Sequence, residues 1–127
     1  MMVRKVKKAY RIKKETEFQH VYRHAETFAN RQLVLYVYPK VGQAHFRVGL
    51  SVGKRIGNAV KRNQVKRYLR QALHELEAEI PMAYDYLLIA RPDIATKDGA
   101  TIKQSIRHVF GLAKLLQNPH SLGGRNG

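Results

Sequence analysis

The first half of the stretch GNAVKRNQVKRYLRQALHELEAEI, Gly57 to Ile80, contains cations and no acid. The cations are Lys61, Arg62, Lys66, Arg67 and Arg70, whereas Glu75, Glu77 and Glu79 crowd its end. If the stretch is a helix, its macrodipole favours the opposite order, by about 0.3–1 kcal/mol for each charge near an end. A partner rich in negative charge would make the reversed order useful. Phosphates suit it best, because a helix N-terminus also presents free N–H groups.

A helix is the predicted element that positions these charges. Gly57-Asn58 offers an N-cap, and no proline follows before Pro81. Apolar residues recur at three- and four-residue steps, at Val65, Leu69, Ala72, Leu73, Leu76 and Ile80. At about 100° per residue they occupy roughly a third of the circumference, which predicts a buried face. Lys66, Arg70, Asn63 and Arg67 follow one another on the arc beside this face, and Arg62 lies nearer the apolar residues but at the helix start. We call these residues, together with Lys61, the basic ridge. A solvated helix face is the alternative interpretation, but clustering without counter-charge favours phosphate binding.

Aromatic residues form a second candidate surface. Phe18 and Tyr22 lie on a predicted helix from Glu15 to about His24, and Tyr36 and Tyr38 lie on the predicted strand QLVLYVY, Gln32 to Tyr38. Leucine and valine supply the core face of that strand, at Leu33, Leu35 and Val37. The tyrosines therefore share its other, partly polar face, where aromatic rings can stack on unpaired bases. A core role for these rings is equally compatible with the pattern.

The familiar patterns of hydrolases and metalloenzymes are missing from the sequence. No G-x-S-x-G, P-loop or H-E-x-x-H motif occurs, and the chain has no cysteine for disulfides, thiolate catalysis or zinc. His20 and His24 are four residues apart, which is a possible metal pair, but spacing places no third ligand. The carboxylates are scattered, unlike the acidic cluster of a two-metal nuclease. We therefore predict no catalytic residue and no metal site on the protein.

The charge balance favours nucleic acid as the partner. The 127-residue chain has a net charge of +15, with no acid before Glu15 and none between Glu26 and Glu75. Nucleic acid is the leading partner class for such a chain, and an anionic membrane surface is the second. The opening residues MMVRKVKKAYRIKK are basic without the apolar core of a signal peptide, and no apolar run is long enough to span a membrane. We expect a soluble cytoplasmic protein.

The pattern along the chain predicts one α+β domain. Strands are expected at Gln32 to Tyr38, Phe46 to Val52 and Tyr84 to Pro92. The third of these is the most continuously apolar, which predicts a central position in the sheet. A final helix is expected from Ala100 to about Leu116. The predicted order is α-β-β-α-β-α, an α-β sandwich with helices covering one sheet. Residues 1–116 form the predicted domain, with a basic arm at 1–14, and residues 117–127 a disordered tail.

Four segments make the sequence similar to the protein subunit family of bacterial ribonuclease P: RIKKETEFQHVY (Arg11 to Tyr22), ANRQLVLYV (Ala29 to Val37), FRVGLSVGKRIGNAVKRNQVKR (Phe46 to Arg67) and DYLLIARP (Asp85 to Pro92). The resemblance implies a mixed sheet with a left-handed βαβ crossover. It also implies a subunit of an endoribonuclease in which a catalytic RNA, holding most of the Mg²⁺, removes the 5′ leader of precursor tRNA. On this interpretation the protein alone is not catalytic, and its partners are RNA, with no membrane and no stable protein partner. A structural RNA-binding protein of ribosomal type is the alternative.

The resemblance also implies which residues bind RNA. Arg62, Asn63, Lys66, Arg67 and Arg70 match the family's basic motif, and with Lys54, Arg55 and Lys61 they are the predicted contacts to the catalytic RNA. The leader is expected in a cleft between the first helix and the sheet, matched here by Phe18, Tyr22 and Tyr36. Gln64 stands where the family usually has a third basic residue, and Lys61 is expected to replace part of that charge. Gly53 is a smaller departure from the family pattern, because relatives often have a small hydroxyl residue at this position.

Overall fold

The structure is a computed structural model that describes residues 11–12 and 15–115. Apart from residues 11–12, the predicted basic arm lies outside the described residues, as does the predicted tail. The helices and strands, in chain order, are α1 (Glu15–His24), β1 (Glu26–Ala29), β2 (Leu33–Pro39), β3 (Arg47–Ser51), α2 (Ala59–Glu75), β4 (Tyr84–Ala90) and α3 (Gly99–Leu112). Short 3-10 turns follow β3, α2 and β4, at Lys54–Ile56, Glu77–Glu79 and Pro92–Thr96.

The strands form one mixed sheet in the order β1-β2-β4-β3. The pairs β1–β2 and β2–β4 are antiparallel, whereas β3 and β4 are parallel and are joined through α2. The predicted fold class, an α+β sandwich with a mixed sheet, is confirmed, and β4 occupies the expected central position. The left-handed sense of the β3–α2–β4 crossover stays an expectation of the resemblance.

The predicted element order was incomplete, because it placed no strand between the first helix and the strand at Gln32 to Tyr38. The structure has a strand there, β1, which pairs with β2 at the edge of the sheet. Only Phe28 of this strand is partly buried, and the other three residues are exposed. A short edge strand with so little burial has no alternation of apolar and polar residues by which its sequence could reveal it.

The main core lies between one face of the sheet and the helices α2 and α3. The six residues predicted for the buried face of the α2 stretch are all buried, from Val65 to Ile80. Opposite them lie the predicted core residues of β2, and α3 adds Ile102, Ile106, Val109 and Phe110. The apolar face that holds α2 against the sheet is thus separate from the basic ridge.

The two ends of α2 explain its reversed charge. At the start, the Asn58 side chain accepts a hydrogen bond from the Lys61 backbone N–H at 2.9 Å, which confirms the predicted N-cap. The helix ends at Glu75 and does not continue to Ile80. Glu75, its last residue, pairs with Lys103 of α3 at 2.9 Å, and Glu79 of the following 3-10 turn pairs with Arg107 of α3 at 3.2 Å. The acids therefore fasten α2 to α3, and the cations at the other end are left to the surface.

Candidate nucleic-acid interface

The second face of the sheet, away from α2 and α3, carries three rows of side chains. Each row has one residue from β2, β4 and β3: Tyr38, Asp85 and Arg47; Tyr36, Leu87 and Gly49; and Val34, Ile89 and Ser51. These residues share a face because alternate side chains of a strand point to the same side. Helix α1 packs on this face over a small apolar cluster centred on Val21 and Leu87.

One flank of α1 lies over the first row. Glu17 accepts a hydrogen bond from Arg47 of β3 at 3.0 Å, and the ring of His20 is hydrogen-bonded to the Tyr38 hydroxyl of β2 at 2.8 Å. The beginning of the helix is thus above β3, and its later turns are above β2. Helix α1 therefore crosses the strands and does not run along them.

The opposite flank of α1 lies over the second row. Phe18 packs directly against Gly49 of β3, and the ring centroids of Tyr22 and Tyr36 are 5.1 Å apart. Burial, and then the neighbouring Tyr22 hydroxyl, raise the pKa of Tyr36, so the Tyr36 phenol is neutral at physiological pH. The structure thus brings the three predicted leader-binding residues to one side of α1, whereas Tyr38 lies on the other side.

The third row lies beside this aromatic flank. Its residues Val34, Ile89 and Ser51 are only partly buried, and Tyr22 keeps 54% of its surface exposed. We call Phe18, Tyr22 and Tyr36, with the third row beside them, the aromatic cleft. A largely apolar surface beside an exposed aromatic ring, here that of Tyr22, can stack unpaired bases.

Gly49 determines how closely α1 approaches the sheet. A Cβ atom at this position would lie 2.6 Å from two carbons of the Phe18 ring, well inside van der Waals contact. The ring can reach the strand only because this residue has no side chain. The sequence contained a signal for it, since an isolated glycine within an alternating strand often marks a close approach.

Charged residues on the first row fix the same end of α1. The Arg47 guanidinium donates two hydrogen bonds to Asp85, at 3.1 and 2.7 Å, and a third to Glu17. Asp85 is only 1% exposed. The bond to Asp85 is the main reason that the pKa of Arg47 is raised. Sequence reasoning did not find this group, because pairing Arg47 with Asp85 requires the register of β3 on β4.

The basic ridge follows the exposed side of α2. Asn63 and Arg67 are exposed, and the four remaining members are partly exposed. Within the part of the chain that the structure describes, none of the ion pairs includes a ridge cation. The ridge therefore keeps its positive charge available to an external anion.

Gln64, which is neutral, contacts one of the ridge cations. The Lys61 ammonium donates to the Gln64 side-chain oxygen at 3.1 Å, and the Gln64 amide donates to the Tyr68 hydroxyl at 3.4 Å. The Lys61 ammonium is therefore held beside the Gln64 side chain. The neighbouring cations Lys54 and Arg55 are exposed on the 3-10 turn between β3 and α2, anchored by the buried Ile56.

The ridge and the cleft meet at the β3 edge of the sheet. A small pocket of about 130 Å³ has Phe18 and Gly49 on one side and Arg70 of α2 on the other. Burial, and then the charge of Arg11 across the pocket, lower the pKa of Arg70, although an arginine remains cationic at neutral pH. Arg70 thus borders both surfaces.

Sequence reasoning also missed Arg91 as a cation near the cleft. It is exposed, lies two residues beyond Ile89, and donates to the Asn30 carbonyl oxygen at 2.9 Å. The sequence did contain a signal for Arg91, since it is a cation near the end of the predicted central strand.

The described residues contain no group of three or more histidine, cysteine, aspartate or glutamate side chains placed to hold a metal ion. In the possible metal pair, His20 is bonded to Tyr38, and His24 Nδ1 lies 3.0 Å from the His20 carbonyl oxygen. None of the helices in the described ranges is long and apolar enough to cross a membrane.

A mixed α+β sandwich with a cationic helix surface and an exposed aromatic cleft is the architecture of a small basic nucleic-acid-binding protein. The family model described as Ribonuclease P matches residues 6–114. The chain belongs to the ribonuclease P protein family.

Individual relatives agree with this assignment. A ribonuclease P protein component of Lactiplantibacillus plantarum is 53% identical over 113 residues, which cover 89% of this chain and 99% of the relative. One from Listeria monocytogenes is 49% identical over 117 residues, covering 91% and 98%. The Staphylococcus aureus RNase P protein structure has a TM-score of 0.79 at 40% identity, covering 87% of this chain and 100% of that one. The Thermotoga maritima protein, at 22% identity and a TM-score of 0.71 over 77% and 92% of the two chains, shares the fold.

Proposed function

We propose that this chain is the protein subunit of the ribonucleoprotein ribonuclease P, a cytoplasmic endoribonuclease that removes the 5′ leader of precursor tRNA. The RNA subunit carries out the cleavage. The protein binds that RNA through the basic ridge together with Lys54 and Arg55, and it binds the single-stranded leader in the aromatic cleft. Residues 1–116 act as one domain with a basic arm at 1–14, and the tail, 117–127, is outside it.

The observation that carries this proposal is the meeting of two chemically different surfaces at one edge of the sheet. Phe18 of the cleft and Arg70 of the ridge line the same pocket. A cationic helix binds phosphates without regard to sequence, whereas stacking requires bases that are unpaired. Adjacent surfaces of these two kinds suit a protein that contacts a folded RNA and a single strand together.

Mg²⁺ is held mainly by the RNA. Several of the described carboxylates are already engaged by cations of the protein, among them Asp85 by Arg47 and Glu75 by Lys103. The protein's cations neutralise phosphates and so reduce the salt and Mg²⁺ that the RNA needs to fold and to bind its substrate. The protein thus acts on affinity and on metal requirement, with no stable protein partner.

A cleavage assay with separate components tests this function. The purified chain with Mg²⁺ should leave precursor tRNA intact. The catalytic RNA alone should cut it at high salt and Mg²⁺, and adding the protein should allow the same cut at lower concentrations of both. Replacing Glu15 or Asp93, two exposed carboxylates, should leave the chemical step of the complex unchanged.

Two results would contradict the proposal. Specific 5′ processing by the RNA-free chain would make it a nuclease in its own right. RNA binding without any effect on cleavage would favour the structural, ribosomal type of RNA-binding protein.

A further inference from the structure

The attachment of α1 to the sheet is concentrated on one face of β3. Two residues of that strand that share a face, Arg47 and Gly49, contact two successive residues of the helix, Glu17 and Phe18. The first contact is an ion pair and the second is close packing. Both are in the turn of α1 from which the cleft begins.

The ion pair is anchored firmly on the sheet side. Asp85 holds the guanidinium of Arg47 through both of its oxygens, which fixes the plane of the guanidinium, and the remaining nitrogen Nη1 points to Glu17 at 3.0 Å. The side chain of Arg47 is 19% exposed and that of Glu17 is 32% exposed, so water screens their attraction only in part. The carboxylate of Glu17 is therefore held by a guanidinium whose position above β3 is fixed.

The packing contact between Phe18 and Gly49 limits the distance between α1 and the sheet. The Phe18 ring lies 2.6 Å from the position that a Cβ atom of residue 49 would occupy, so the ring packs directly on the strand backbone. The distance between α1 and the sheet is one dimension of the aromatic cleft. Small changes in that distance alter how well bases fit against Phe18 and Tyr22.

We infer that Arg47, acting through Glu17, and Gly49 are positioning residues that set the height and angle of α1 and thereby the affinity of the aromatic cleft for a single-stranded leader. This inference rests on the proposed function. None of the three residues needs to touch RNA. Their effect passes through Phe18.

Electrostatics and positioning predict opposite effects at Glu17. Removal of a negative charge near an RNA-binding surface, by itself, tightens binding of any RNA. Loss of the contact to Arg47, in contrast, releases α1 and weakens binding of the leader alone. The chain offers a matched control, because Glu15 is in the same first turn of α1 and bonds to Gln19 of its own helix at 3.0 Å.

The experiment uses the full chain assembled with the catalytic RNA and measures the dissociation constants of precursor and mature tRNA. The ratio of the two constants isolates the leader. Glu17→Ala should reduce the preference for the precursor by about three- to tenfold, part of the contribution of one stacked base. Glu15→Ala should leave the ratio unchanged, and circular dichroism should show both variants folded.

Two further variants decide between positioning and general destabilisation. Gly49→Ala should also reduce the ratio, since the methyl group displaces the Phe18 ring. In the Phe18→Ala background, Glu17→Ala should have no additional effect on the ratio, because the group it positions is gone.

Each contrary result has a definite meaning. An unchanged ratio in Glu17→Ala, or equal and additive losses in the Phe18→Ala background, overturns the positioning role while the leader site survives. An unchanged ratio in Phe18→Ala itself overturns the proposed leader site, and this inference with it.

Discussion

The basic ridge and the aromatic cleft differ in how many elements build them. A single helix builds the ridge, because all of its side chains lie on α2 and the helical period sets their positions. The cleft requires α1, β2, β4 and β3 together, in one register and with one glycine beneath Phe18. A charged surface can therefore be built locally, whereas a shaped surface depends on the tertiary structure.

This difference has energetic consequences. Phosphate contacts of separate exposed cations are nearly additive and weaken with salt. Stacking in a cleft depends on neighbouring groups, changes little with salt and is lost when one wall moves. The two surfaces should thus be distinguishable by salt dependence and by whether substitutions add.

Replacing three ridge cations should give the largest effect. Arg62, Lys66 and Arg70 changed together to alanine should weaken assembly with the catalytic RNA. Each lost contact should reduce the slope of log affinity against log salt by roughly 0.7–0.9. The fold should survive, because the buried face of α2 is untouched. Measuring assembly at several salt concentrations provides the slope.

A charge-matched triple variant serves as the control. Arg23, Lys40 and Lys114 are exposed and lie off the ridge, so their replacement by alanine should change the slope much less. If the ridge triple variant is folded and keeps the wild-type slope, the RNA site lies elsewhere.

Removing one aromatic ring should have the next largest effect, restricted to the precursor. Phe18→Ala, Tyr22→Ala or Tyr36→Ala should weaken binding of precursor tRNA by about 1–3 kcal/mol for each stacked base that is lost. Mature tRNA, which has no leader, should bind almost as before. Parallel titrations with the two RNAs measure the difference, and equal losses for both would assign the rings to the structural core.

A buried tyrosine on the opposite face of the sheet should affect only stability. Tyr86 is 0% exposed, and its hydroxyl donates to the Pro81 carbonyl oxygen at 2.8 Å. Burial also raises its pKa. Tyr86→Phe should cost about 1 kcal/mol of unfolding free energy, measured by urea denaturation, with no change for either RNA. A selective loss of precursor binding would show that the cleft is not confined to the second face.

The smallest effect is expected at the acidic end of α2. The hydrogen bond from Lys103 is the main cause of the lowered pKa of Glu75. A carboxylate with a folded pKa below its unfolded value of about 4.3 stabilises the fold above that pH, and the contribution is lost as pH falls through the folded pKa.

Because this pair is exposed, Glu75→Gln should cost at most about 0.5 kcal/mol at pH 7. The difference from wild type should disappear below the folded pKa in pH-dependent urea denaturation. A loss that persists in acid would indicate a cause other than the ion pair with Lys103.

Much of the fold could be predicted because its signals are local. The bounds predicted for α1, Glu15 to His24, are confirmed, as are the Asn58 cap and the buried face of α2. β1 was missed because pairing, and not burial, makes it a strand. The end of α2 was predicted too late, because its apolar pattern continues into the 3-10 turn at Glu77–Glu79.

The sequence by itself determined the chemistry of this protein: its cationic helix, its aromatic residues and the family to which they are similar. Charge and helical period are properties of consecutive residues, so no tertiary information was needed to find the ridge. Only the tertiary structure decided that α1 crosses the strands, that Tyr38 is separated from Tyr36, and that Arg47 meets both Asp85 and Glu17. Those contacts join residues up to 38 positions apart along the chain. They depend on strand register and on the packing of one helix against a glycine, which no local pattern specifies.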